Sequence, residues 1–242
     1  MTKAKYIYGV ILADQEVNFG GIGLGGECVT TIGRNGLACV VSEARDEEYS
    51  LADEVHLKVH ETVLETVMRK YPMLPIRFGS VAPNTREVKL FLKNHNNDFK
   101  RLFQKLSGKV EIELELFWKD MKGIWEEVVR ESRQLTAIKA SKKKRSKEDL
   151  IMAGQLVAAH LRQKKEKECL KYMKFLKGTF VELQKNATPK DEMILYGSFL
   201  VSKAELNAFD RAVEQLEAKM RERIHVRYIG PMPPYSFTSV RM

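Results

Sequence analysis

The residues that could bind a nucleotide are three glycines near the N-terminus. Gly21, Gly23 and Gly26 follow the G-x-G-x-x-G spacing of dinucleotide-binding loops, in which the start of a helix holds the pyrophosphate. The next residues, Val29 to Ile32, are β-branched and lead into a short polar turn at Gly33 to Gly36. This pattern predicts a β-hairpin, so we expect a flexible loop between two strands and no nucleotide site.

Two histidines could hold a metal ion. His56 and His60 lie four residues apart, which places both imidazoles on one face of a helix. The glutamate of the H-E-x-x-H motif is missing, and Lys58 between them adds an unfavourable positive charge. We therefore expect ordinary, partly exposed histidines, no metal site and no cofactor.

Three glutamates alternate along the segment KVEIELELFW. Glu111, Glu113 and Glu115 could act as a catalytic acid and base, but their alternation with apolar residues is typical of a strand with one solvated face. No local signature of a nucleophile, such as G-x-S-x-G, accompanies them. We therefore predict no catalytic residue and no enzyme.

The composition indicates a folded protein of the cytoplasm. With 242 residues, 44% of them hydrophobic, the chain can build one large or two modest domains. The apolar stretch YIYGVILA ends at Asp14, too short for a membrane span or a secretory signal. Cys28, Cys39 and Cys169 are odd in number and far apart, which predicts reduced thiols that pack as small apolar groups.

The net charge of +9 belongs to the C-terminal half of the chain. Residues 1–120 carry 16 basic and 17 acidic side chains, and residues 121–242 carry 25 and 15. The densest basic run, SKKKRSK at Ser141 to Lys147, could bind phosphates through counterion release. No aromatic residue is interleaved with it for base stacking, so we favour a solvated connection over a nucleic-acid site.

The N-terminal half has the pattern β-β-β-α-β-α-β. Residues 1–120 are therefore predicted to form an α+β domain, a variant of the ferredoxin-like layer. Its central strand is Lys5 to Leu12, its first helix begins near Ser50, and its second helix runs from Asn84 towards a stop at Gly108. MLPIRFGSVAP and KVEIELELFW are the strands that follow the two helices.

The C-terminal half is predicted to be a helix-rich α+β domain over residues 121–242. Its long basic helix begins at Lys147 and ends near Lys185, and two strands, EMILYGSFLVS and IHVRYIG, flank a further helix from Ala204 to Arg221. That helix carries an apolar stripe that a helix inside or outside the chain could cover: Leu206, Phe209, Val213, Leu216 and Met220. The tail PMPPYSF is expected to leave regular structure because of its prolines.

Two further segments could contact a partner. Arg77 interrupts the apolar segment LPIRFGSV, and a buried guanidinium needs acceptors. We predict that it pairs within the chain, with a partner contact as the alternative. The tail holds Tyr235 and Phe237 on a stiff proline segment, which we interpret as a clamp between the two halves, with a grip on another protein as the alternative.

Several of these segments together resemble the gas vesicle protein F/L family. The matching pieces, in the order of the family, are YIYGVI, GLACVVSEA, LPIRFGSV, KVEIELELFW and YIGPMPPYSF. The pair LPIRFG and GPMPPYSF is the most specific of them. Met232 departs from the family pattern, which usually has a larger and often aromatic residue there.

The resemblance implies a non-enzymatic, chaperone-like accessory or minor structural protein of the gas vesicle. Its expected partners are the small hydrophobic shell protein and other gas vesicle accessory proteins, at vesicles in the cytoplasm. The residues expected to contact them are Arg77, Phe78, Leu206, Phe209, Tyr235 and Phe237. The residues leave two alternatives: a basic nucleic-acid-binding protein, and an enzyme that uses the glycine loop or the two histidines.

Overall fold

The chain folds into two compact units. The computed structural model describes residues 3–44, 49, 53–140 and 146–238. Unit 1 comprises Met1–Ser107 with Pro233–Met242, and unit 2 comprises Gly108–Met232. This division differs from the predicted boundary at residue 120, because the strand Lys109–Trp118 pairs only with strands of the C-terminal half. The mixed α+β class is as predicted.

Unit 1 contains an antiparallel sheet and three helices. In chain order its elements are β1 (Lys5–Leu12), β2 (Asn18–Gly20), β3 (Val29–Arg34), β4 (Leu37–Glu43), α1 (Glu54–Met68), β5 (Met73–Pro75), β6 (Val81–Ala82), α2 (Thr85–Asn94) and α3 (Asn96–Leu106). The strand order is β2-β3-β4-β1-β5, and β6 also pairs with β1. β1 is therefore a central strand, as its apolar residues on both faces predict.

The predicted hairpin is the pair β3 and β4. Its two-residue turn is Asn35 and Gly36, with φ angles of 56° and 80°, the left-handed conformation that a tight hairpin turn requires. The first helix begins at Glu54, where the carboxylate of Asp53 accepts a hydrogen bond from the His56 backbone N–H at 3.1 Å. The predicted start near Ser50 lies outside the described residues.

The second predicted helix is divided into α2 and α3. Asn84 caps α2 as predicted, since its side-chain oxygen accepts from the Glu87 backbone N–H at 3.0 Å. The helix then stops at His95, whose φ of −105° and ψ of 14° are not helical. Asn94, His95 and Asn96 all favour local side-chain hydrogen bonds or turns over helix interiors, which accounts for the break.

Helices cover both faces of the unit 1 sheet. α1 packs on one face, where a core cluster includes Tyr6, Tyr8, Leu24, Val40, Val63 and Val67. α2 packs against β3 and β4 on the sheet, and its Val88 and Leu92 are fully buried. The C-terminal tail belongs to this unit, and its described part includes a 3-10 turn, Tyr235–Phe237.

Unit 2 has the strand order of a ferredoxin-like fold. Its elements are β7 (Lys109–Trp118), α4 (Met121–Glu131), α5 (Arg133–Ala140), α6 (Lys147–Leu176), β8 (Glu182–Lys185), β9 (Met193–Ser202), α7 (Leu206–Met220) and β10 (Ile224–Met232). The antiparallel sheet order is β10-β7-β9-β8. With α6 and α7 as the two crossovers, this is the β-α-β-β-α-β arrangement, which the sequence pattern predicts for residues 1–120 and the structure shows in unit 2.

Two boundaries in unit 2 differ from the predicted ones, and the helical segment after Asp120 is divided. It breaks at Ser132, whose φ of −106° and ψ of 114° are extended, into α4 and α5. α6 ends at Leu176, before Gly178 with its positive φ of 86°. β10 continues to Met232 through Pro231, because it pairs with β7 alone and a proline on an edge strand removes no ladder hydrogen bond.

The acidic row of β7 is not the solvated face that we predicted. Glu111 is only 1% exposed and Glu115 only 8%, while Glu113 is partly buried. β7 is an inner strand between β10 and β9, so it has cross-strand neighbours on both sides. Met232 and Leu200 lie opposite Glu111, and Arg227 and Tyr196 lie opposite Glu115. Burial first, and then the charges of Glu111 and Glu115, raise the pKa of Glu113.

None of the helices in the described ranges combines the length and the hydropathy that spanning a bilayer would require.

Candidate interaction surfaces

The structure exposes Arg77 instead of burying it. β5 ends at Pro75, so Arg77 lies in the turn that leads to β6, and its guanidinium has no ion-pair partner among the described residues. The exposure differs from the prediction, and the predicted internal pairing is not seen among the described residues. Phe78 points the other way, into an aromatic group with Tyr6, Tyr49 and His60, with ring centroids 5.5 to 6.4 Å apart.

The apolar stripe of α7 is covered from within unit 2. Phe209 is fully buried and packs its ring 5.3 Å from that of Phe199 and 6.5 Å from that of Tyr228, measured between centroids. Leu206 packs on the edge of the same core and stays partly exposed. α7 packs on α6, β9 and β10. The apolar stripe is therefore buried against a helix and a sheet of the same unit.

The aromatic residues of the tail pack on unit 1. Tyr235 lies against the core cluster of that unit, and Phe237 is only 5% exposed. The ammonium group of Lys105 lies 5.9 Å from the centroid of the Phe237 ring, within the range of a cation–π contact. Both rings therefore serve in holding the tail to its own unit.

The two histidines of α1 have separate environments. His56 is paired through Nδ1 with the carboxylate of Asp53 at 2.8 Å, near the surface. His60 is buried, and its Nδ1 lies 2.9 Å from the hydroxyl of Tyr6. No cluster of metal-ligating side chains occurs in the described part of the chain.

The glycine loop connects β2 to β3, as predicted, and no helix follows it. The loop is tied to the core, because the Leu24 backbone N–H donates to the Tyr8 hydroxyl at 2.9 Å. A Cβ on Gly23 would lie 2.8 Å from the Glu27 carbonyl oxygen, so this glycine is needed for a close approach of two backbone segments.

A polar groove of about 800 Å³ lies beside this loop in unit 1. Charged side chains of both signs line it, among them Lys5, Glu27, Arg34 and Lys89. Cys28 also lines it and is exposed, contrary to the predicted packing role, with its thiol 3.3 Å from the side-chain oxygen of Asn18. Small-molecule sites are mostly apolar, so this groove is typical of a hydrated surface.

A smaller groove, the α6 groove, follows the N-terminal half of α6 in unit 2. Its volume is about 470 Å³. Its apolar lining is Trp125, Gly154, Val157, Ala158 and Leu161, and its polar lining is Arg162, Lys165, Thr188 and Asp191. Apart from Trp125 on α4, the apolar residues all belong to α6, at the spacing of one helix face.

A charged cluster fixes the two helices that bound the α6 groove. Arg223 donates from both terminal nitrogens to the carboxylate of Glu127 on α4, at 2.9 and 2.8 Å. The same guanidinium donates from Nε to Glu168 on α6 at 3.0 Å. Hydrogen bonds from Arg223, and then Lys164, lower the pKa of Glu127 to about 2.

Further donors complete this cluster. Glu168 also accepts from Trp118 Nε1 at 2.8 Å and from the Tyr172 hydroxyl at 2.6 Å. The ammonium of Lys164 lies 2.9 Å from Glu127 and 2.7 Å from Glu131. Burial lowers the pKa of Lys164, but these two carboxylates outweigh it and the net shift is upward. Every charge is paired, so the cluster is suited to holding α4 on α6 and not to proton transfer.

Sequence reasoning did not identify the α6 groove or the charged cluster. The available signals were the Glu127 and Glu131 pair and the Lys164 and Glu168 pair, each four residues apart on a helix, and the glycine inside α6. None of these shows which distant residue completes the arrangement. Most of the basic run SKKKRSK, residues 141–145, lies outside the described residues.

The α+β fold and the order of these segments match known proteins over the whole chain. A family model described as gas vesicle synthesis protein GvpL/GvpF matches residues 4–239. Gas vesicle protein F of a Nostoc species is 29% identical over 99% of this chain and 100% of its own length. Gas vesicle protein F of Dolichospermum flosaquae is 31% identical over 82% of each chain.

Solved structures give the same result. The crystal structure of GvpF from an Anabaena species covers 100% of both chains with a TM-score of 0.85 and 29% identity. That of GvpF from Microcystis aeruginosa covers 99% of this chain and 100% of its own, with a TM-score of 0.79 and 26% identity. The chain therefore belongs to the GvpL/GvpF family of gas vesicle synthesis proteins.

Proposed function

We propose that this protein is a non-catalytic accessory factor of gas vesicle formation that binds the small hydrophobic shell protein, together with other accessory proteins, before or during vesicle growth in the cytoplasm. The observation that carries the proposal is the family match over residues 4–239, which connects the chain with gas vesicle synthesis.

The physical need for such a factor follows from the shell subunit. A subunit that polymerises into a hydrophobic shell must expose apolar surface before assembly, and exposed apolar surface aggregates unless it is covered. An accessory protein with its own apolar groove can cover that surface and release the subunit to a growing edge. The α6 groove and the exposed Leu150 and Ile151 supply apolar surface of this kind on unit 2.

The predicted contact residues contribute unequally to the proposal. Arg77 remains a candidate because its guanidinium is exposed and has no ion-pair partner among the described residues. Leu206 and Tyr235 are partly exposed and remain weaker candidates. Phe209 and Phe237 are buried and Phe78 is packed in an aromatic group, so they support these surfaces from beneath.

The direct test is co-purification. The tagged full-length chain is co-expressed with the shell protein, and the amount of shell protein that elutes with the tag is measured before and during vesicle formation. The proposal expects shell protein in the eluate and less light scattering from purified shell subunits when the chain is added in equal amount. A chain that neither retains shell protein nor reduces its aggregation contradicts the proposal.

A genetic test is independent of purification. Cells that lack the gene are expected to lose buoyant vesicles, and a plasmid copy is expected to restore them. Normal flotation in the deletion strain rules out the role in vesicle formation.

A further inference from the structure

We propose that the α6 groove is the docking site for one short apolar helix of the shell subunit. This inference rests on the proposed function, which supplies the identity of the partner. The structure supplies the position of the site, the length of the helix and the charge that the helix should carry.

The groove continues along α6 towards the N-terminus of the helix. Leu150 and Ile151 are 54% and 53% exposed, and they precede Gly154 by four and three residues, so they lie on the same helix face. Large apolar side chains that remain half exposed on the helix face that lines a groove are typical of an interaction surface.

Gly154 lies in the interior of α6 without an explanation inside the chain. A glycine at such a position weakens a helix by about 1 kcal/mol relative to alanine. Its φ is not positive, and an added Cβ would meet no atom within 4 Å. Ala158 follows one turn later and is also exposed. Two small residues on one face let a second helix approach closely, and such an approach explains the glycine.

The length of the surface fits a single helix. From Leu150 to Leu161 the stripe covers about 18 Å at 1.5 Å per residue, which is about three turns of a partner helix. Stable interfaces between two folded chains use about 20 to 30 residues a side, and the α6 groove with its extension offers about half of that. A short helix therefore fits this surface better than a second copy of the chain.

The polar end of the groove indicates a charge on the partner. Arg162 is exposed and has no ion-pair partner among the described residues. Its neighbour Lys165 is already engaged, since its ammonium donates to the Lys190 carbonyl at 2.8 Å. Asp191 lines the same end, is exposed and has no ion-pair partner among the described residues. We therefore expect the docked helix to be apolar along one face, to carry a carboxylate where it meets Arg162 and to carry none beside Asp191.

The test compares substitutions on opposite faces of α6. Gly154→Leu fills the groove and Ile151→Ser removes its apolar extension. Met152→Ser is the matched control, because Met152 is 67% exposed but lies on the opposite side of the helix. In co-purification with the shell protein, the first two variants are expected to retain at least about tenfold less shell protein, as for central interface residues, and the control to retain the wild-type amount.

Two measurements keep the outcome clear. Circular dichroism and the unfolding midpoint show whether Gly154→Leu is folded. A photo-crosslinking amino acid in place of Gln155, which is exposed beside the groove, detects the bound partner directly and does not depend on a variant that weakens binding. Crosslinks to the shell subunit are expected. Crosslinks between two copies of this chain, or to nothing, overturn the inference.

The failure of the inference and that of the proposed function are distinguishable. If wild type retains shell protein and all variants retain it equally, the proposed function stands and the α6 groove is not the docking site. If wild type retains no shell protein, both are overturned.

Discussion

The hydroxyl of Tyr6 on β1 and Nδ1 of His60 on α1 lie 2.9 Å apart within the core of unit 1. The Tyr6 oxygen also accepts from the Gly79 backbone N–H at 3.0 Å. A neutral imidazole fits this site, since its other nitrogen can donate to the backbone of Ile76 while Nδ1 accepts from Tyr6. Burial disfavours the charged ring and lowers the pKa of His60 to about 4, although the Ile76 hydrogen bond opposes the shift.

This histidine predicts that the protein loses stability in mild acid. In the unfolded chain His60 titrates near its ordinary value of 6.5, and in the folded chain near 4. Between these values only the unfolded state binds the proton, so the free energy of unfolding falls as pH falls, by up to about 3 kcal/mol in total. Denaturant unfolding at pH 7, 5.5 and 4.5 measures this decrease in the free energy of unfolding. His60→Gln should flatten the slope, whereas His225→Gln, at an exposed histidine, should keep it.

Arg223 is predicted to stabilise unit 2 through its two carboxylate partners. Arg223→Met leaves Glu127 and Glu168 without their main counter-charge, and removal of one partner from a buried pair costs about 3 to 5 kcal/mol. Because the Arg223 side chain is 31% exposed, we expect about 2 kcal/mol. Arg130→Gln, at an exposed arginine on α4, is the control and should change the unfolding free energy by less than about 0.5 kcal/mol. Equal effects of the two substitutions would show that the cluster does not stabilise the unit.

Glu113 is predicted to weaken unit 2 at neutral pH. The pKa of Glu113 in the folded protein is raised above the ordinary value of 4.5. The free energy of unfolding is therefore highest below pH 4.5, where Glu113 is protonated in both states, and it decreases as pH rises through the folded pKa. Glu113→Gln removes this loss and should stabilise the protein at pH 7 by up to about 1 kcal/mol, the size of a partly screened charge contact. The gain should disappear below pH 4. Glu217→Gln, on the exposed side of α7, should show no such dependence on pH.

Substitution of two glycines by alanine is predicted to change the stability of the protein in opposite directions. A Cβ at Gly23 meets the Glu27 carbonyl oxygen at 2.8 Å and the Tyr8 hydroxyl at 3.0 Å, so Gly23→Ala should destabilise unit 1 by about 1 to 3 kcal/mol. Gly154→Ala adds a methyl group to open space and should stabilise α6 by about 0.5 to 1 kcal/mol. Thermal unfolding measures both. A loss of stability in the second variant would show that Gly154 has a role inside the chain.

The elements with strong local patterns could be predicted from the sequence. The alternation in β7, the cap at Asn84 and the turn at Asn35 and Gly36 all depend on residues within a few positions of one another, and all three occur in the structure. The break at His95 could not be predicted from the apolar stripe, because the same face continues across it in α3. Only the local preference of Asn94 to Asn96 for non-helical conformations indicated it.

Burial was harder to predict than element type. Periodicity shows which side chains share a face but not what covers that face. Arg77 was predicted to be buried and is exposed, while Glu111 was predicted to be exposed and is buried. In both cases the outcome depends on strand pairing: β5 ends before Arg77, and β7 is flanked on both sides.

The sequence by itself determined the α+β class, most of the strands and helices, and the resemblance to the gas vesicle family, because these depend on residue types in local order. Only the tertiary structure assigned β7 to the second unit and placed Trp125 against α6. It also brought Arg223 to Glu127 across 96 positions of the chain. Such long-range contacts depend on which sheet each strand joins, and strand pairing in turn depends on the burial of apolar faces in the whole fold.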